Sequence, residues 1–371
     1  MFVLNYLEDF SWNCIPQKKS DNKYAISFAI TEDYSFAAAN MIMGLYKQSA
    51  KLMDKTDIVI YHNGISEKTV QLLNTLHDNI LFKEISFPES WRLIIENPRN
   101  AKWGPIVITK FFCFFLVQNY EKVLLLDVDM LITEDISELF DFEEDMVWRN
   151  VVAWKPKDIF ESVLKKPDDY ISAGNGGMIL FNGNIKEYAI GQDEILEAYE
   201  RIKNMGDGGI DENVIAYLAY KYQISVRELD IKIWNTPVQR MTPETKLVHF
   251  LDCVHKTTKP WKNLASYLYF EEWAENYQRW IDMGGEGPVN FSREDYYQLL
   301  ALDKLKKIAK QKKKIAKQEE LIAEQEGLIA KQEELIAKYK KEVYQLKSSN
   351  SYKLTEPFRK IKKLLKKILK F

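Results

Sequence analysis

The sequence predicts an α/β domain with a mostly parallel sheet, followed by a long helical coiled coil and an amphipathic C-terminal helix. Three observations support this. Short apolar runs alternate with helical patterns between residues 24 and 85, an order typical of parallel strands covered by helices. Isoleucines recur every seven residues after Asp303, as they do in a supercoiled helix. The last residues combine lysines with an apolar stripe at helical spacing.

The first part of the sheet follows a β-α-β-α-β order. Apolar runs predict strands over 24–30, 57–61 and 80–85, with helices over 36–46 and 66–76 between them. Ser66 is the expected N-cap of the second helix. Ligands of such sheets bind outside the carboxyl ends of the strands. Thr31 to Tyr34, which follow the first strand, are therefore expected at the ligand-binding edge.

The rest of the domain centres on an apolar strand that carries two aspartates. We predict a helix over 109–119, then a strand over 123–132 that contains Asp127 and Asp129. A glycine-rich turn with a short strand follows at 172–182, then helices over 187–203 and 213–221 and a strand over 247–250. The predicted compact domain spans 1–262, and 263–300 forms a helical extension.

Composition excludes several classes of protein. Lys and Arg number 52 and Asp and Glu 54, a formal charge of −2 that does not suit a nucleic-acid-binding protein. The three cysteines are widely spaced and odd in number, so we expect no disulfide framework and a reducing compartment. Neither a signal peptide nor an apolar run long enough to span a bilayer is predicted. These features together predict a cytoplasmic protein.

Asp127 and Asp129 are the strongest chemical signal in the chain. In one strand their side chains would share a face, because alternate residues point the same way. Two neighbouring carboxylates beside a buried strand are costly unless a cation balances them. Oxygen ligands suit Mn²⁺ or Mg²⁺. The pattern also resembles the nucleophile motif of haloacid dehalogenase-type phosphatases, but Leu131 and the position well inside the chain make that alternative weaker.

A heptad repeat occupies residues 301–347. Its isoleucines predict a left-handed supercoil and self-association into a homo-oligomer, and the duplicated segment 315–323 and 329–337 makes it an internal repeat. Glutamine at the d positions leaves the oligomer order open, and the alternative is a single solvated helix. The positions of the seven-residue apolar repeat are Ile308, Ile315, Ile322, Ile329, Ile336 and Val343.

The last segment, 348–371, predicts a basic amphipathic helix. From residue 353 onward it has eight Lys and Arg residues against one Glu. Each cation near an anionic bilayer contributes about 1 kcal/mol, and an apolar stripe on the opposite side would lie in the interface. We therefore predict binding to an anionic membrane surface through 353–371. The alternative is a frayed basic terminus or contact with another protein.

Several motifs together resemble one enzyme family. Thr109-Lys110-Phe-Phe-Cys113, Leu126-Asp127-Val128-Asp129 and Glu138-Leu-Phe140 come first, and Asn175-Gly176-Gly177, Asp211-Glu212, His249 and Lys259-Pro-Trp261 follow. This order resembles the family 8 retaining glycosyltransferases, the glycogenin and bacterial lipopolysaccharide glycosyltransferase group. The resemblance covers about residues 24–262. Glu212 stands where the family usually has Gln.

The resemblance implies a GT-A fold, a UDP-sugar donor and Mn²⁺ or Mg²⁺ as cofactor. Asp127, Asp129 and His249 would be the metal ligands; for His249 the alternative is a histidine packed in a strand. Lys110 and Lys259 would neutralise the diphosphate, which carries charge as it leaves. The residues expected to contact the nucleotide sugar are Thr31, Tyr34, Lys110, Asp127, Val128, Asp129, Asn175, Gly176, Gly177, His249 and Lys259.

Catalytic roles are implied for Asp211, Glu212 and Lys110. Asp211 and Glu212 would face the sugar and stabilise positive charge at the anomeric carbon; alternatively, Asp211 is only a helix cap. The implied reaction transfers a hexose of the glucose or galactose type to a glycan or lipid-linked acceptor, in lipopolysaccharide or surface-polysaccharide synthesis on the inner face of the cytoplasmic membrane. The competing hypothesis is a non-catalytic coiled-coil membrane tether with a degenerate nucleotide-sugar domain.

Overall fold

A computed structural model describes residues 6–8, 13–98, 104–150, 174–203, 209–251, 258–289 and 293–368. The chain forms two compact units, Met1–Asn290 and Phe291–Phe371. The first unit contains the sheets and carries the predicted site residues. The second consists of helices.

A seven-stranded mixed sheet forms the centre of the first unit. Its strand order is β10-β8-β9-β6-β2-β3-β4, and only β9 runs antiparallel to its neighbours. A three-stranded sheet, β11-β12-β7, and a two-stranded sheet, β1-β5, accompany it. The prediction of an α/β protein with a mostly parallel sheet is confirmed. The strands are β1 Tyr6–Leu7, β2 Tyr24–Ile30, β3 Thr56–His62, β4 Ile80–Glu84, β5 Phe87–Pro88, β6 Lys122–Leu126, β7 Met130–Ile132, β8 Met146–Asn150, β9 Gly174–Asn182, β10 Val226–Leu229, β11 Thr236–Pro237 and β12 Leu247–His249.

Helices cover the sheet, and several are short. Ser66 caps α2 by accepting a hydrogen bond from the backbone of Thr69, as predicted. The α-helices of the first unit are α1 Ser35–Met53, α2 Glu67–Asn74, α3 Arg92–Ile95, α4 Cys113–Leu116, α5 Gln192–Ile202, α6 Ile210–Lys221, α7 Leu264–Tyr269 and α8 Glu271–Asp282. The 3₁₀ segments are Glu32–Tyr34, Glu89–Trp91, Pro105–Phe112, Ser137–Asp141, Gly183–Tyr188 and Val238–Arg240.

The strand predicted over 123–132 is interrupted at the two aspartates. It ends at Leu126 in the large sheet and resumes at Met130 in the small one, so Asp127 and Asp129 lie in the connection. The prediction that they share a strand face was wrong. The two parts pair with different partners, β9 and β12, and the chain must bend between them.

Four other predicted elements differ from the structure. The helix expected over 109–119 is a 3₁₀ segment, Pro105–Phe112, that continues into the short α4. The glycine-rich turn at 174–177 is part of strand β9. The helix expected over 187–203 begins only at Gln192, and the one expected from Asn213 begins at Ile210. Asp211 and Glu212 therefore lie in a first helical turn, and Gly209 rather than Asp211 is the N-cap.

The segment after residue 262 supplies two helices to the first unit. In α8, Trp273 and Trp280 are fully buried. Asn40 of α1 donates a hydrogen bond to the carbonyl of Trp273 over 2.7 Å, and the rings of Trp261 and Trp273 stack at 5.6 Å. The helical extension predicted for 263–300 thus begins with two helices, of which α8 packs against α1. The predicted domain boundaries remain predictions.

The second unit contains α9 Arg293–Ser348, α10 Asn350–Leu354 and α11 Glu356–Ile368. Helix α9 has 56 residues, a length of about 84 Å at the usual rise of about 1.5 Å per residue. Its repeated isoleucines are half exposed, between 47% for Ile308 and 55% for Ile329. The long C-terminal helix is confirmed, whereas its supercoiling stays a prediction. Within the described residues, no helix is both long and apolar enough to cross a membrane.

Candidate active site

Strand pairing brings the two aspartates to the residues predicted to act with them. Leu126 is opposite Met178 in β9, so Gly177 meets Asp127, whose N–H donates to the Gly177 carbonyl over 2.8 Å. Met130 is opposite His249 in β12, and the Asp129 carbonyl accepts from Phe250 N–H over 2.9 Å. The connection between β6 and β7 is therefore held at both ends.

Asp127, Asp129 and His249 form a compact group of possible metal ligands. One donor atom from each lies within 4.8 Å of the other two. Nε2 of His249 is 3.2 Å from Oδ1 of Asp129, and Nζ of Lys259 is 2.8 Å from Oδ2 of the same carboxylate. Two carboxylates and an imidazole are a donor set suited to a divalent cation of the Mn²⁺ class. The three residues present therefore fit a metal ion.

Lys110 connects this group to the first turn of α6. Its ammonium lies 3.1 Å from Oδ1 of Asp127 and 3.2 Å from Oδ2 of Asp211. Its side chain is only 10% exposed, and that of Asp211 is 6% exposed. The 3₁₀ segment that carries Lys110 packs against α6, so the cation is fixed between two acidic elements.

Glu212 lies beside the start of strand β9. Its Oε1 accepts hydrogen bonds from Nδ2 of Asn175 and from the backbone N–H of Gly176, both over 2.9 Å. The next two residues, Gly176 and Gly177, lie close against side chains of the site. A Cβ at Gly176 would lie 2.7 Å from Oδ2 of Asp211, and one at Gly177 would lie 2.4 Å from Cε1 of His249. Any side chain at Gly177 would displace the imidazole.

Thr31 and Tyr34 lie at the same edge of the sheet, after β2, but no hydrogen bond in the described part of the chain joins them to the acidic group. The carbonyl of Thr31 accepts the N–H of Tyr34 over 3.0 Å. The Tyr34 ring meets Trp261 edge-on at 6.1 Å. The Lys259 ammonium is 5.4 Å from the centre of the Trp261 ring, so Tyr34 borders the site through this indole.

The geometry agrees with the comparisons to known proteins. The family model described as "Glycosyl transferase family 8" matches residues 25–265 of the chain. The chain belongs to glycosyl transferase family 8. No curated protein sequence matches it significantly.

Solved structures show that this glycosyltransferase has a fold of the GT-A type. The galactosyltransferase LgtC, in complex with donor and acceptor sugar analogs, is 15% identical with a TM-score of 0.53; the match covers 74% of this chain and all of that one. An LgtC active-site mutant in which glutamine is replaced by glutamate is 14% identical with a TM-score of 0.52, and it also covers 74% of this chain and all of its own. The predicted fold is confirmed.

The two carboxylates of this family 8 enzyme have opposite electrostatic environments. Burial raises the pKa of Asp127 although Lys110 opposes the change. Burial also favours a raised pKa for Asp129, but His249 and Lys259 outweigh the effect of burial and hold the pKa of this carboxyl well below its usual range. Burial alone would lower the pKa of Lys110, whereas Asp127, Asp211 and Glu212 hold it above its ordinary value. Asp129 is thus an anion and Lys110 a cation at neutral pH.

Two residues of the site were missing from the sequence-based prediction. Asn235 is fully buried, and its side chain lies between His249 and Asn175. Arg149 is buried in β8, and burial lowers its pKa to about 10 although Glu212 counteracts the shift. Arg149 directly follows the apolar run Met146-Val-Trp148, and a charge at that position was a visible signal in the sequence. No sequence pattern marked Asn235, since a single asparagine before Thr236 resembles a loop residue.

Glu212 makes the stability of the metal-free protein depend on pH. Burial, with Asp211 nearby, raises its pKa from the ordinary 4.5 to about 7. Between these values the folded state holds a proton that the unfolded chain has lost, so the free energy of unfolding should decrease as pH rises through this interval. Glu212→Gln should flatten that decrease. Denaturant titrations across this pH range test it, with Glu197→Gln on α5 as a surface control; equal slopes for wild type and Glu212→Gln would contradict it.

Proposed function

We propose that this glycosyltransferase uses a divalent metal, Mn²⁺ or Mg²⁺, to transfer a hexose from a UDP-sugar to a glycan or lipid-linked acceptor with retention of configuration. The observation that carries the proposal is the group of Asp127, Asp129 and His249 with Lys110 and Lys259 in contact with it. The nucleoside diphosphate gains negative charge as it leaves the sugar, and such a group of acidic ligands and cations suits that charge once a metal is bound.

The residues have separate proposed roles. Asp127, Asp129 and His249 would hold the metal, which supplies Lewis-acid stabilisation to the departing diphosphate. Lys110 and Lys259 would contact phosphate oxygens through charge-assisted hydrogen bonds. Glycine at positions 176 and 177 lets the side chains of Asp211 and His249 lie against strand β9. The nucleoside would lie along the strand ends, beside Thr31, Tyr34 and Val128.

Asp211 and Glu212 are proposed to face the reacting carbon. Asp211, and Glu212 in its ionised form, would stabilise positive charge that develops on the sugar. Two routes to retention stay open: attack on the front face assisted by the leaving phosphate, and a covalent intermediate on one of these carboxylates. Asn175 would hold Glu212 in place in either route, because its amide donates to that carboxylate over 2.9 Å.

A donor screen with purified full-length protein tests the proposal. UDP-glucose, UDP-galactose and their N-acetylated analogues are incubated with Mn²⁺ or with a chelator, and release of UDP is measured. We expect slow hydrolysis of at least one UDP-hexose that requires the metal. The galactosyltransferase LgtC was solved with donor and acceptor sugar analogs, which makes UDP-galactose a first candidate. Absence of hydrolysis with every donor, together with equal UDP binding by wild type and Asp129→Ala, would contradict the proposal.

We also propose that the second unit assembles the enzyme into oligomers and holds it at a membrane surface. The half-exposed isoleucine stripe of α9 would be covered by other copies of the chain in a homo-oligomeric coiled coil over 301–347. Sedimentation tests this, since a chain ending near residue 300 should form a smaller assembly than the full chain. An unchanged assembly size would reject the coiled coil.

The basic helix α11 is proposed to bind the anionic inner face of the cytoplasmic membrane, near a lipid-linked acceptor of surface-polysaccharide synthesis. Phe358, Ile361 and Leu365 are all more than half exposed. Anionic vesicles should sediment the full chain but not a chain ending at residue 348. Ile361→Asp combined with Leu365→Asp keeps the lysines and breaks the apolar stripe, and this variant should also lose binding. Equal binding by all three proteins would contradict the proposal.

A further inference from the structure

Asn235 lies at the centre of a hydrogen-bonded chain through the site. Its side chain is inaccessible to solvent. Its Oδ1 is 2.7 Å from Nδ1 of His249, and its Nδ2 donates to Oδ1 of Asn175 over 2.8 Å. The backbone is in the left-handed region, with φ of 48°, which asparagine tolerates better than most residues. The side chain thus joins the strand that carries His249 to the strand that begins at Gly174.

The direction of this chain follows from two backbone donors. The N–H of Gly177 donates to Oδ1 of Asn175 over 3.2 Å, and the N–H of Gly176 donates to Glu212 over 2.9 Å. A backbone N–H can only donate, so the oxygen of the Asn175 amide must face Gly177 and its nitrogen must face Glu212. Asn235 then presents its nitrogen to Asn175.

The orientation of Asn235 requires a proton on Nδ1 of His249. Because the Asn235 nitrogen faces Asn175, its oxygen faces the imidazole and accepts a hydrogen bond from Nδ1–H. Nε2 is then the nitrogen that remains for a metal, which would replace any proton that Nε2 donates to Asp129. That nitrogen is the one 3.2 Å from Oδ1 of Asp129, on the side where the possible ligands converge.

We propose that Asn235 is a positioning residue that holds a proton on Nδ1 of His249 and thereby directs Nε2 toward Asp127 and Asp129. The chain of contacts also links Asn235 to Glu212 through Asn175. The consequence for metal binding rests on the proposed function, whereas the protonation of His249 does not. Partners that orient a ligating histidine typically change metal affinity about 10- to 100-fold when removed.

Two substitutions separate the two hydrogen bonds of Asn235. Asn235→Ala removes the acceptor for His249 and the donor to Asn175. Asn235→Asp keeps an acceptor for Nδ1–H but cannot donate to Asn175. Asn40→Ala is the matched control, because Asn40 is also buried, at 2% exposure, and its amide donates over 2.7 Å to a carbonyl outside the site.

The decisive experiment uses nitrogen NMR of the full chain labelled with ¹⁵N-histidine. The protein has four histidines, so His249 can be assigned with a His249→Gln variant. Without metal, wild type, Asn235→Asp and Asn40→Ala should show a proton on Nδ1 of His249, with or without a second proton on Nε2 next to Asp129. Asn235→Ala should shift His249 toward the form protonated only on Nε2. A wild-type His249 protonated only on Nε2, or an unchanged Nδ1 proton in Asn235→Ala, would overturn the proposal.

Calorimetry with UDP as the probe then tests the link to the metal. Asn235→Ala should weaken Mn²⁺-dependent UDP binding about 10- to 100-fold. Asn40→Ala should lower stability but leave UDP binding unchanged. If Asn235→Ala binds Mn²⁺ and UDP as well as wild type does, the link is overturned. Wild type that shows the Nδ1–H form but no Mn²⁺-dependent UDP binding would refute the proposed function and leave the positioning role supported. Thermal unfolding of each variant confirms that it is folded.

Discussion

Asp129→Asn should reduce kcat/KM for sugar transfer by about 1,000-fold, or about 4 kcal/mol of transition-state stabilisation. The substitution keeps the size of the side chain but removes the charge that contacts both His249, at 3.2 Å, and Lys259, at 2.8 Å. A neutral amide is a poor ligand for Mn²⁺ compared with a carboxylate. It also leaves Lys259 without its anionic partner on this side. Steady-state kinetics with saturating Mn²⁺ measure the effect.

A nearby carboxylate serves as the control for Asp129. Asp135 follows β7 and accepts hydrogen bonds from Ser137, at 2.7 Å and 2.9 Å, rather than from a residue of the site. Asp135→Asn should leave kcat/KM close to that of wild type. Transfer by Asp129→Asn within tenfold of wild type would show that this carboxylate does not hold the metal.

Lys110→Met should lower the free energy of unfolding by about 3–5 kcal/mol, the usual cost of removing one partner from a buried ion pair. The ammonium separates Asp127 from Asp211, and without it these two carboxylates are left without a cation between them. The loss should be larger at mildly alkaline than at mildly acidic pH. Carboxylates deprived of their cation bind protons more readily when folded, so stability returns as pH falls. Denaturant titration of metal-free protein measures both effects.

Two variants distinguish charge from size at this position. Lys110→Arg keeps the cation and should retain most of the stability. Lys122→Met removes a partly buried lysine whose ammonium bonds to the carbonyls of Phe140 and Phe142, at 2.7 Å and 2.6 Å. Lys122→Met should lower the free energy of unfolding by less than Lys110→Met does, and its loss should not depend on pH in this way. A similar loss in both methionine variants would contradict the account of Lys110.

Local patterns predicted most of the large sheet and its covering helices. Strand β2 has the predicted bounds, β3 is one residue longer than predicted at each end, and β4 ends one residue earlier. Each of these strands has an apolar run at its centre or start, so its position and approximate length are visible in the sequence. The break at Asp127 was not predictable in this way. Leu126 and Met130 are equally apolar, and only their pairing with β9 and β12 places them in different sheets.

The site was predicted where residues carry charge or belong to a motif, and missed where only tertiary contacts reveal them. Lys110, Asp211 and Lys259 were selected by resemblance, and the structure brings them to the two aspartates. Asn235 has no distinctive neighbours in sequence, and its importance depends on where strands β9 and β12 place Asn175 and His249. Such a contact requires the folded chain.

Calorimetric titration of UDP into the full-length protein, with Mn²⁺ and with a chelator, tests the central claim most directly. The account predicts that Mn²⁺ strengthens UDP binding by at least about tenfold, or about 1.4 kcal/mol, and that Asp129→Asn abolishes this gain while Asp135→Asn retains it. Equal UDP affinity with and without Mn²⁺ in the wild type would contradict a metal-diphosphate site at Asp127, Asp129 and His249.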